Sequence, residues 1–166
     1  MDLAILSDTH DRRPILARAL DLLRRRRIDT VLHCGDIESP EIVEMFRGLR
    51  AHFVFGNCDT DRAALADAIT SGGLTLHEPF GHLEFGPTKI AFIHSDDKSL
   101  FRSIENSGAY DFLFYGHSHV RAEHRTGPTR VINPGALHRA RPKTFAVLDL
   151  ETGEVETVEV SSEPEA

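Results

Sequence analysis

The first ten residues, Met1–His10, read MDLAILSDTH: a run of apolar residues is followed at once by polar ones that include an aspartate and a histidine. Such a run is typical of a buried strand in a parallel sheet. Because ligands bind where the carboxyl ends of parallel strands meet, Asp8 and His10 are candidate ligands. Asp8 taken alone would equally suit a turn or a helix cap.

Other polar residues follow later apolar runs in the same way. They are Asp36, Asn57, His94, His117 and His119. The last two flank one serine in Tyr115–Val120, which reads YGHSHV. In an extended segment, side chains two residues apart point to the same side, so both imidazoles can point the same way. Each residue alone could serve a turn or a hydrogen bond. Together they bring nitrogen and oxygen donors to several strand ends, which predicts a shared metal site.

The first half of the chain alternates expected strands with expected helices. The strands are Leu3–Leu6, Thr30–Cys34 and Ala51–Phe55. The helices start near Pro14, run from Pro40 to Gly48 with Ser39 as N-cap, and run from Asp61 to Thr70. This alternation predicts a largely parallel sheet with helical crossovers.

Short strands and one helix are expected in the second half. Gly and Pro separate the first three strands, Leu74–His77, His82–Phe85 and Lys89–Ile93, as in an antiparallel section. A helix over Asp97–Ser107 follows. The remaining strands are Asp111–Tyr115, Arg121–Arg125, Thr129–Ile132, Thr144–Leu150 and Val155–Val160. The chain is therefore expected to be an α/β protein with two sheets and flanking helices.

Length and composition favour a single domain over residues 1–160 with a polar tail over 161–166. No apolar run approaches the roughly 20 residues that cross a bilayer, and Asp2 stands where a signal peptide is positive. Cys34 and Cys58 match no disulfide framework, so a reduced protein in the cytoplasm is expected. The net charge of −7 argues against a broad nucleic-acid surface.

The candidate donors outnumber the ligands of one tetrahedral zinc ion. They suit two divalent ions that share one carboxylate, the pattern of two-metal phosphatases. Two such ions, less the charges of Asp8, Asp36 and a bridging hydroxide, leave one positive charge in the site. An acidic protein can then bind a phosphoryl group, because the ions dominate the local field.

These residues, in this order, resemble the calcineurin-like metallophosphoesterase superfamily. The matching motifs are Asp8-Thr9-His10, Gly35-Asp36, Gly56-Asn57-Cys58-Asp59, His94 and Gly116-His117-Ser118-His119. The short length, Cys58 and the NPGA sequence at 133–136 resemble its small prokaryotic phosphodiesterase branch. The fold implied is the four-layer α/β sandwich of the family.

The resemblance also implies the site. One metal is assigned to Asp8, His10, Asp36 and His119, and the second to Asp36, Asn57, His94 and His117. The implied cofactor is two Mn²⁺ ions, with Ni²⁺, Fe²⁺, Co²⁺ or Zn²⁺ as alternatives. The implied reaction is hydrolysis of a small phosphodiester by a metal-bridging hydroxide, with Asp36, Asn57, His94 and Cys58 at the catalytic centre.

The chain departs from the family pattern at three places. Cys58 stands where many relatives have a histidine that can protonate the leaving oxygen, and a thiol is a poorer acid for that role. Asp96 replaces a second histidine after His94; it could tether a water or a ligand imidazole, and we interpret it as the N-cap of the following helix. Ala136 replaces the serine of NPGS. Beyond this loop, Arg141 could bind substrate phosphate or lie on a solvated surface.

Two other functions stay open at this point. One is a non-catalytic protein-binding scaffold on the same fold, and the other is a phosphomonoesterase. Strand edges near residues 74–93 leave a homodimer open as well.

Overall fold

The computed structural model describes residues 1–161. The strands are β1 (Asp2–Leu6), β2 (Thr30–His33), β3 (Arg50–Phe53), β4 (Thr75–Leu76), β5 (Gly81–Phe85), β6 (Thr88–Ile93), β7 (Phe112–Tyr115), β8 (Ala122–Thr126), β9 (Thr129–Asn133), β10 (Thr144–Asp149) and β11 (Val155–Glu159). The helices are α1 (Arg13–Arg26), α2 (Pro40–Glu44), α3 (Arg62–Ser71) and α4 (Lys98–Glu105). The predicted polar tail covers residues 161–166, and residues 162–166 lie outside the described part of the chain.

The first sheet has the strand order β11-β10-β1-β2-β3-β4. The strands β1, β2, β3 and β4 run parallel to one another, while β10 and β11 close one edge in antiparallel pairing. The predicted largely parallel sheet is therefore confirmed. Strand β4 was expected in an antiparallel section, and that expectation is wrong: it pairs in parallel with β3 through His52–Thr75 and Phe53–Leu76.

The second sheet has the order β5-β6-β7-β9-β8 and is mixed. Its inner pairs, β6 with β7 and β7 with β9, are parallel, whereas the outer pairs are hairpins of antiparallel strands. Parallel pairing in the middle directs the carboxyl ends of β6 and β7 the same way, which matters for the site.

The core divides into layers because neighbouring side chains of a strand point to opposite faces. In β1, Leu3 and Ile5 pack between the two sheets, while Ala4 and Leu6 pack against the helices. Ile90 and Phe92 of β6 face the space between the sheets, and Ala91 and Ile93 face α4. The predicted α/β sandwich, with four layers, is confirmed.

Helix ends differ from expectation in two places. Helix α2 ends at Glu44, and tight turns with i→i+3 hydrogen bonds carry the chain on to Leu49. Ser39 occupies the N-cap position, but its hydroxyl donates to Asp11 Oδ1 (2.6 Å) in place of capping the helix. The N-cap of α4 is Asp97, which accepts from the N–H groups of Ser99 and Leu100. The interpretation of Asp96 as that cap is therefore wrong.

Over residues 1–161, every helix is too short or too polar to cross a membrane.

Candidate metal centre

The predicted donors come together at one end of the sandwich, and both sheets contribute. The donors from the first sheet are Asp8, His10, Asp36 and Asn57, which follow β1, β2 and β3. Those from the second sheet are His94, His117 and His119, which follow β6 and β7. The two loop sets are joined where the N–H of His117 donates to Asp8 Oδ2 (3.1 Å).

One group of donors surrounds the Nε2 atoms of two histidines. His10 Nε2 lies 3.2 Å from His119 Nε2 and 3.3 Å from Asp36 Oδ2, and His119 Nε2 lies 3.2 Å from Asp8 Oδ1. One ligand atom from each of these four residues lies within 4.8 Å of the others. Both carboxylates are buried, so four ligand atoms enclose one small volume.

A second group adjoins the first through Asp36. His94 Nε2 lies 3.3 Å from Asp36 Oδ2 and 3.0 Å from Asn57 Oδ1. Asn57 Oδ1 is also 2.9 Å from His117 Nδ1. Asp36 Oδ2 is thus equally far, at 3.3 Å, from a histidine of each group.

The hydrogen bonds of two Nδ1 atoms, which point away from the cluster, fix the tautomers of His94 and His119. His94 Nδ1–H donates to the carbonyl of Cys34 (2.8 Å) and His119 Nδ1–H to that of His138 (2.9 Å). A neutral imidazole that donates from Nδ1 carries its lone pair on Nε2. The Nε2 lone pairs therefore face carboxylate and amide oxygens. Both partners are hydrogen-bond acceptors, so they repel each other unless a proton or a metal ion lies between them.

The ionisation of these groups in the ion-free protein follows from the same contacts. Burial lowers the pKa of His10, but hydrogen bonds to Asp8 and Glu38 and the charge of Asp36 raise it to about 9. Burial raises the pKa of Asp36, but the hydrogen bond and charge of His94 outweigh it and bring the pKa to about 2. Protons thus fill the space between acceptors when metal is absent, and a metal ion would displace them.

The backbone adopts an uncommon conformation at these donors. Five donors have positive φ: Asp8 (55°), His10 (46°), Asp36 (59°), His117 (72°) and His119 (59°). A left-handed residue other than glycine is uncommon, and such residues cluster at ligand-binding sites. The fold therefore holds these side chains in place at a cost of about 1–3 kcal/mol each.

A glycine lets the third motif approach Asp36. A Cβ atom added at Gly56 would lie 2.2 Å from Asp36 Oδ1 and 2.6 Å from the Asp36 nitrogen, far inside van der Waals contact. With no side chain there, the Cys58 N–H reaches Asp36 Oδ1 (2.9 Å). The backbone of the third motif thus orients the shared carboxylate.

Sequence reasoning missed two carboxylates beside the centre. Asp59 is buried and accepts four backbone N–H bonds of 2.7–3.0 Å, from Gly56 and from the segment 36–38. Glu38 accepts from His10 Nδ1–H at 2.6 Å. Asp59 belongs to the motif Gly56-Asn57-Cys58-Asp59, so the sequence did point to this residue. Nothing in the sequence points to Glu38.

A cavity of about 440 Å³ opens above the donors. Cys58 lines it, and burial with the charge of Asp36 raises the pKa of that thiol to about 11 in the ion-free protein. Arg141 does not line this cavity; it lines an adjoining one of about 660 Å³. Arg12, His138 and Arg139 line both.

The donor set fits divalent metal ions. It combines imidazole, carboxylate and amide oxygen, which bind borderline metals such as Mn²⁺, Fe²⁺ and Zn²⁺. Three of its imidazoles donate their outer N–H to a carbonyl or a carboxylate, the second contact typical of metal-bound histidines. The residues are therefore arranged to hold metal.

Several known proteins are similar to this chain along nearly its whole length. Residues 1–153 match the family described as the calcineurin-like phosphoesterase superfamily domain. Phosphodiesterase MJ0936 of Methanocaldococcus jannaschii is 30% identical over 93% of this chain and 96% of its own. The probable metallophosphoesterase YsnB of Bacillus subtilis is 27% identical over 91% of this chain and 85% of its own. The solved structure of a novel archaeal phosphodiesterase has a TM-score of 0.88 at 28% identity, and the alignment covers 96% of this chain and 100% of that one. This chain therefore belongs to the calcineurin-like phosphoesterase superfamily.

Proposed function

We propose that this phosphoesterase is a phosphodiesterase with two metal ions in its active site. The observation that carries the proposal is the position of Asp36 Oδ2, 3.3 Å from a histidine of each donor group. One carboxylate oxygen placed between two donor sets suits a bridging ligand. The relatives named as phosphodiesterases support a diester as the substrate.

The donors divide between the two ions by their contacts. One ion would take Asp8, His10, Asp36 and His119, and the other Asp36, Asn57, His94 and His117. Bound there, two divalent ions supply positive charge for the phosphoryl oxygens and acidify water to a nucleophile near neutral pH. We propose Mn²⁺ as the ion, with Ni²⁺, Fe²⁺, Co²⁺ or Zn²⁺ as alternatives, because nitrogen and oxygen donors accept all of these.

The chain itself supplies orientation and charge balance. The buried carboxylates of Asp8 and Asp36 compensate the cations, and the anchored rings of His94 and His119 hold their Nε2 atoms in place. Hydrolysis adds one water to phosphorus, breaks one P–O ester bond and releases one alcohol. The leaving oxygen must gain a proton, and we propose the Cys58 thiol at the cavity wall as its source.

Cys58 is a weak acid for this step. We expect Cys58→His to raise kcat on an alkyl ester, a poor leaving group, about tenfold more than on a nitrophenyl ester, because an imidazolium protonates an alkoxide better. Steady-state kinetics on both esters measure this difference. An equal change on the two esters would show that residue 58 has no part in proton transfer.

One assay separates the candidate functions. The purified protein is treated with Mn²⁺ and given bis(p-nitrophenyl) phosphate and p-nitrophenyl phosphate in parallel, with Asp36→Asn as the control. We expect metal-dependent hydrolysis of the diester, faster than that of the monoester and lost in the variant. Faster cleavage of the monoester would indicate a phosphomonoesterase, and no hydrolysis of either would favour the protein-binding scaffold.

The stoichiometry of the site is tested separately. Crystals soaked in Mn²⁺ should give two anomalous peaks, one beside each donor group. A single peak would contradict the bridging role of Asp36.

The proposal extends to location and assembly. Cys34 and Cys58 are both free thiols, which fits the reducing cytoplasm. Strand β5 is an edge of the second sheet and could pair with a second copy, and light scattering of the purified protein would detect the dimer.

A further inference from the structure

A second cavity of about 660 Å³ adjoins the metal centre. Its charged lining residues are Arg12, Arg139, Arg141 and Lys143. Its other lining residues are Pro14, Ile15, Leu137, His138 and Ala140, and no carboxylate is among those that line it within residues 1–161. In a chain of net charge −7, this cavity is a local concentration of positive charge.

The arginines of this cavity lack the carboxylate partners that several other arginines have. Several arginines elsewhere on the surface form ion pairs with carboxylates, as Arg26 does with Glu156, Arg47 with Glu44 and Arg50 with Asp29. Among the described ion pairs, none involves Arg12, Arg139 or Arg141. Their charge is thus available to an anion from solution.

The loop that carries most of this cavity is tied to the metal centre. The His138 carbonyl accepts from His119 Nδ1–H (2.9 Å), and the Leu137 N–H donates to the Ser7 carbonyl (3.3 Å). At the start of the loop, the Asn133 amide donates to the Gly116 carbonyl (3.1 Å) and to Ser118 Oγ (3.0 Å). The basic cavity therefore has a fixed position relative to the donors that follow β7.

Arg12 joins the two cavities. It lines both, and its Nε–H donates to His138 Nδ1 (3.1 Å), which orients the guanidinium along the shared wall. Guanidinium groups bind phosphate through paired, charge-assisted hydrogen bonds. The apolar side chains of Pro14, Ile15 and Leu137 complete a wall against which a carbon framework can pack.

We propose that the basic cavity binds a second phosphate group of the substrate while the scissile diester lies at the metal centre. The preferred substrate class is then a small nucleotide-like phosphodiester that also carries a terminal phosphate. This inference rests on the proposed phosphodiesterase function and adds a specificity determinant to it.

The test compares dithymidine monophosphate with the same compound carrying a phosphate at its 5′ or its 3′ end. All have one scissile diester and differ only in the second phosphate. With Mn²⁺-loaded enzyme, we expect kcat/KM to be about tenfold higher for one of the phosphorylated compounds, as one or two charge-assisted hydrogen bonds would give.

Variants of the cavity arginines test whether the increase in kcat/KM comes from this cavity. Arg141→Gln should reduce the ratio of kcat/KM between the phosphorylated and unphosphorylated compounds about threefold, and Arg12→Gln with Arg141→Gln should bring it close to one. Arg141→Lys should retain part of the ratio, because a lysine keeps the charge. Arg47→Gln removes an arginine in the turn after α2, outside the lining of this cavity, and should leave the ratio unchanged.

The outcomes distinguish this inference from the function it rests on. If dithymidine monophosphate and bis(p-nitrophenyl) phosphate are both inert with every metal, the proposed function fails. If bis(p-nitrophenyl) phosphate is hydrolysed but neither terminal phosphate raises kcat/KM on the dithymidine compounds, the second site is wrong. A gain that persists in the double variant places the phosphate elsewhere and also overturns the inference.

Discussion

At the scale of single residues, Asp59 connects the loops that hold Asp36 and Asn57. Its carboxylate accepts four backbone N–H groups, and each of its oxygens accepts two of them. Asn at this position would turn an NH₂ group toward two of those donors and leave them unpaired in a buried place. We expect Asp59→Asn to lower the free energy of unfolding by about 3 kcal/mol in urea titrations.

A matched control for this change is Asp61→Asn. Asp61 is the exposed N-cap of α3 and accepts from the Ala64 N–H (3.1 Å). Asn caps a helix as well as Asp does, so the same substitution there should change stability by less than about 0.5 kcal/mol. Equal losses at both positions would contradict the role assigned to Asp59.

Glu38 acts on the centre through His10. Its carboxylate accepts from His10 Nδ1–H, which fixes the tautomer and raises the basicity of the ring. Replacing a carboxylate that supports a metal-bound histidine typically weakens binding 10- to 100-fold, so we expect Glu38→Gln to weaken Mn²⁺ binding at least about tenfold. Calorimetric titration measures the affinity.

The control for Glu38 is Glu41→Gln, which removes an exposed carboxylate from the first turn of α2. Its Mn²⁺ affinity should match that of the unmodified protein. An equal loss in both variants would mean that only the general field of negative charge matters. The contacts of Asp59 with residues 36–38, and of Glu38 with His10, could not be derived from sequence, because these partners lie on other loops.

At the scale of elements, apolar runs were enough to predict the strands that carry donors. Strands β1, β2, β6 and β7 are buried on both faces over most of their length, so each contains an apolar run with a polar residue after it. In β3, Arg50 is exposed and His52 half-buried, and the apolar run that marks this strand is Phe53–Phe55. Strand β4 has two residues and no periodicity, so its parallel pairing with β3 could not be predicted. The end of α2 was also missed, because turns with i→i+3 bonds continue the same apolar spacing up to Gly48.

A histidine pair joins β3 to the residue that follows β4. His52 Nδ1 lies 3.0 Å from His77 Nε2, and burial, with the charges of His77 and Arg50, lowers the pKa of His52 to about 4. The unfolded chain then binds a proton near pH 6.5 that the folded protein does not bind until about pH 4. The contribution of His52 to the free energy of unfolding is therefore fully present above pH 6.5 and is lost as the pH falls from about 6.5 to about 4.

We expect His52→Gln to reduce this loss in acid. The difference in free energy of unfolding between the variant and the unmodified protein should move in favour of the variant from pH 6.5 to pH 4, by no more than about 1.4 kcal/mol per pH unit. Urea titrations at several pH values measure it. His82→Gln, at an exposed position on β5, is the control, and a pH-independent difference for His52→Gln would contradict the effect of the pair.

At the scale of the whole molecule, the site exists only because two sheets pack face to face. The order of donors along the chain indicated a shared site, since each follows a strand. The division of donors between two sheets, and the placing of Arg141 in a second cavity beside the first, depend on how the sheets and the loop over residues 134–143 pack. Those features are properties of tertiary structure that no local pattern in the sequence contains.

Because the donors come from five strands and both sheets, metal should bind the folded chain far better than the unfolded one. A ligand that binds only the folded state at 100 times its Kd stabilises it by about 2.7 kcal/mol. For a chain of this size, that corresponds to a rise in Tm of about 5–10 °C, which differential scanning calorimetry with and without Mn²⁺ would measure. Asp36→Asn should remove most of the rise, because both donor groups share that carboxylate. Glu41→Gln should keep it, and an undiminished rise in Asp36→Asn would mean that Mn²⁺ stabilises the protein from somewhere other than this centre.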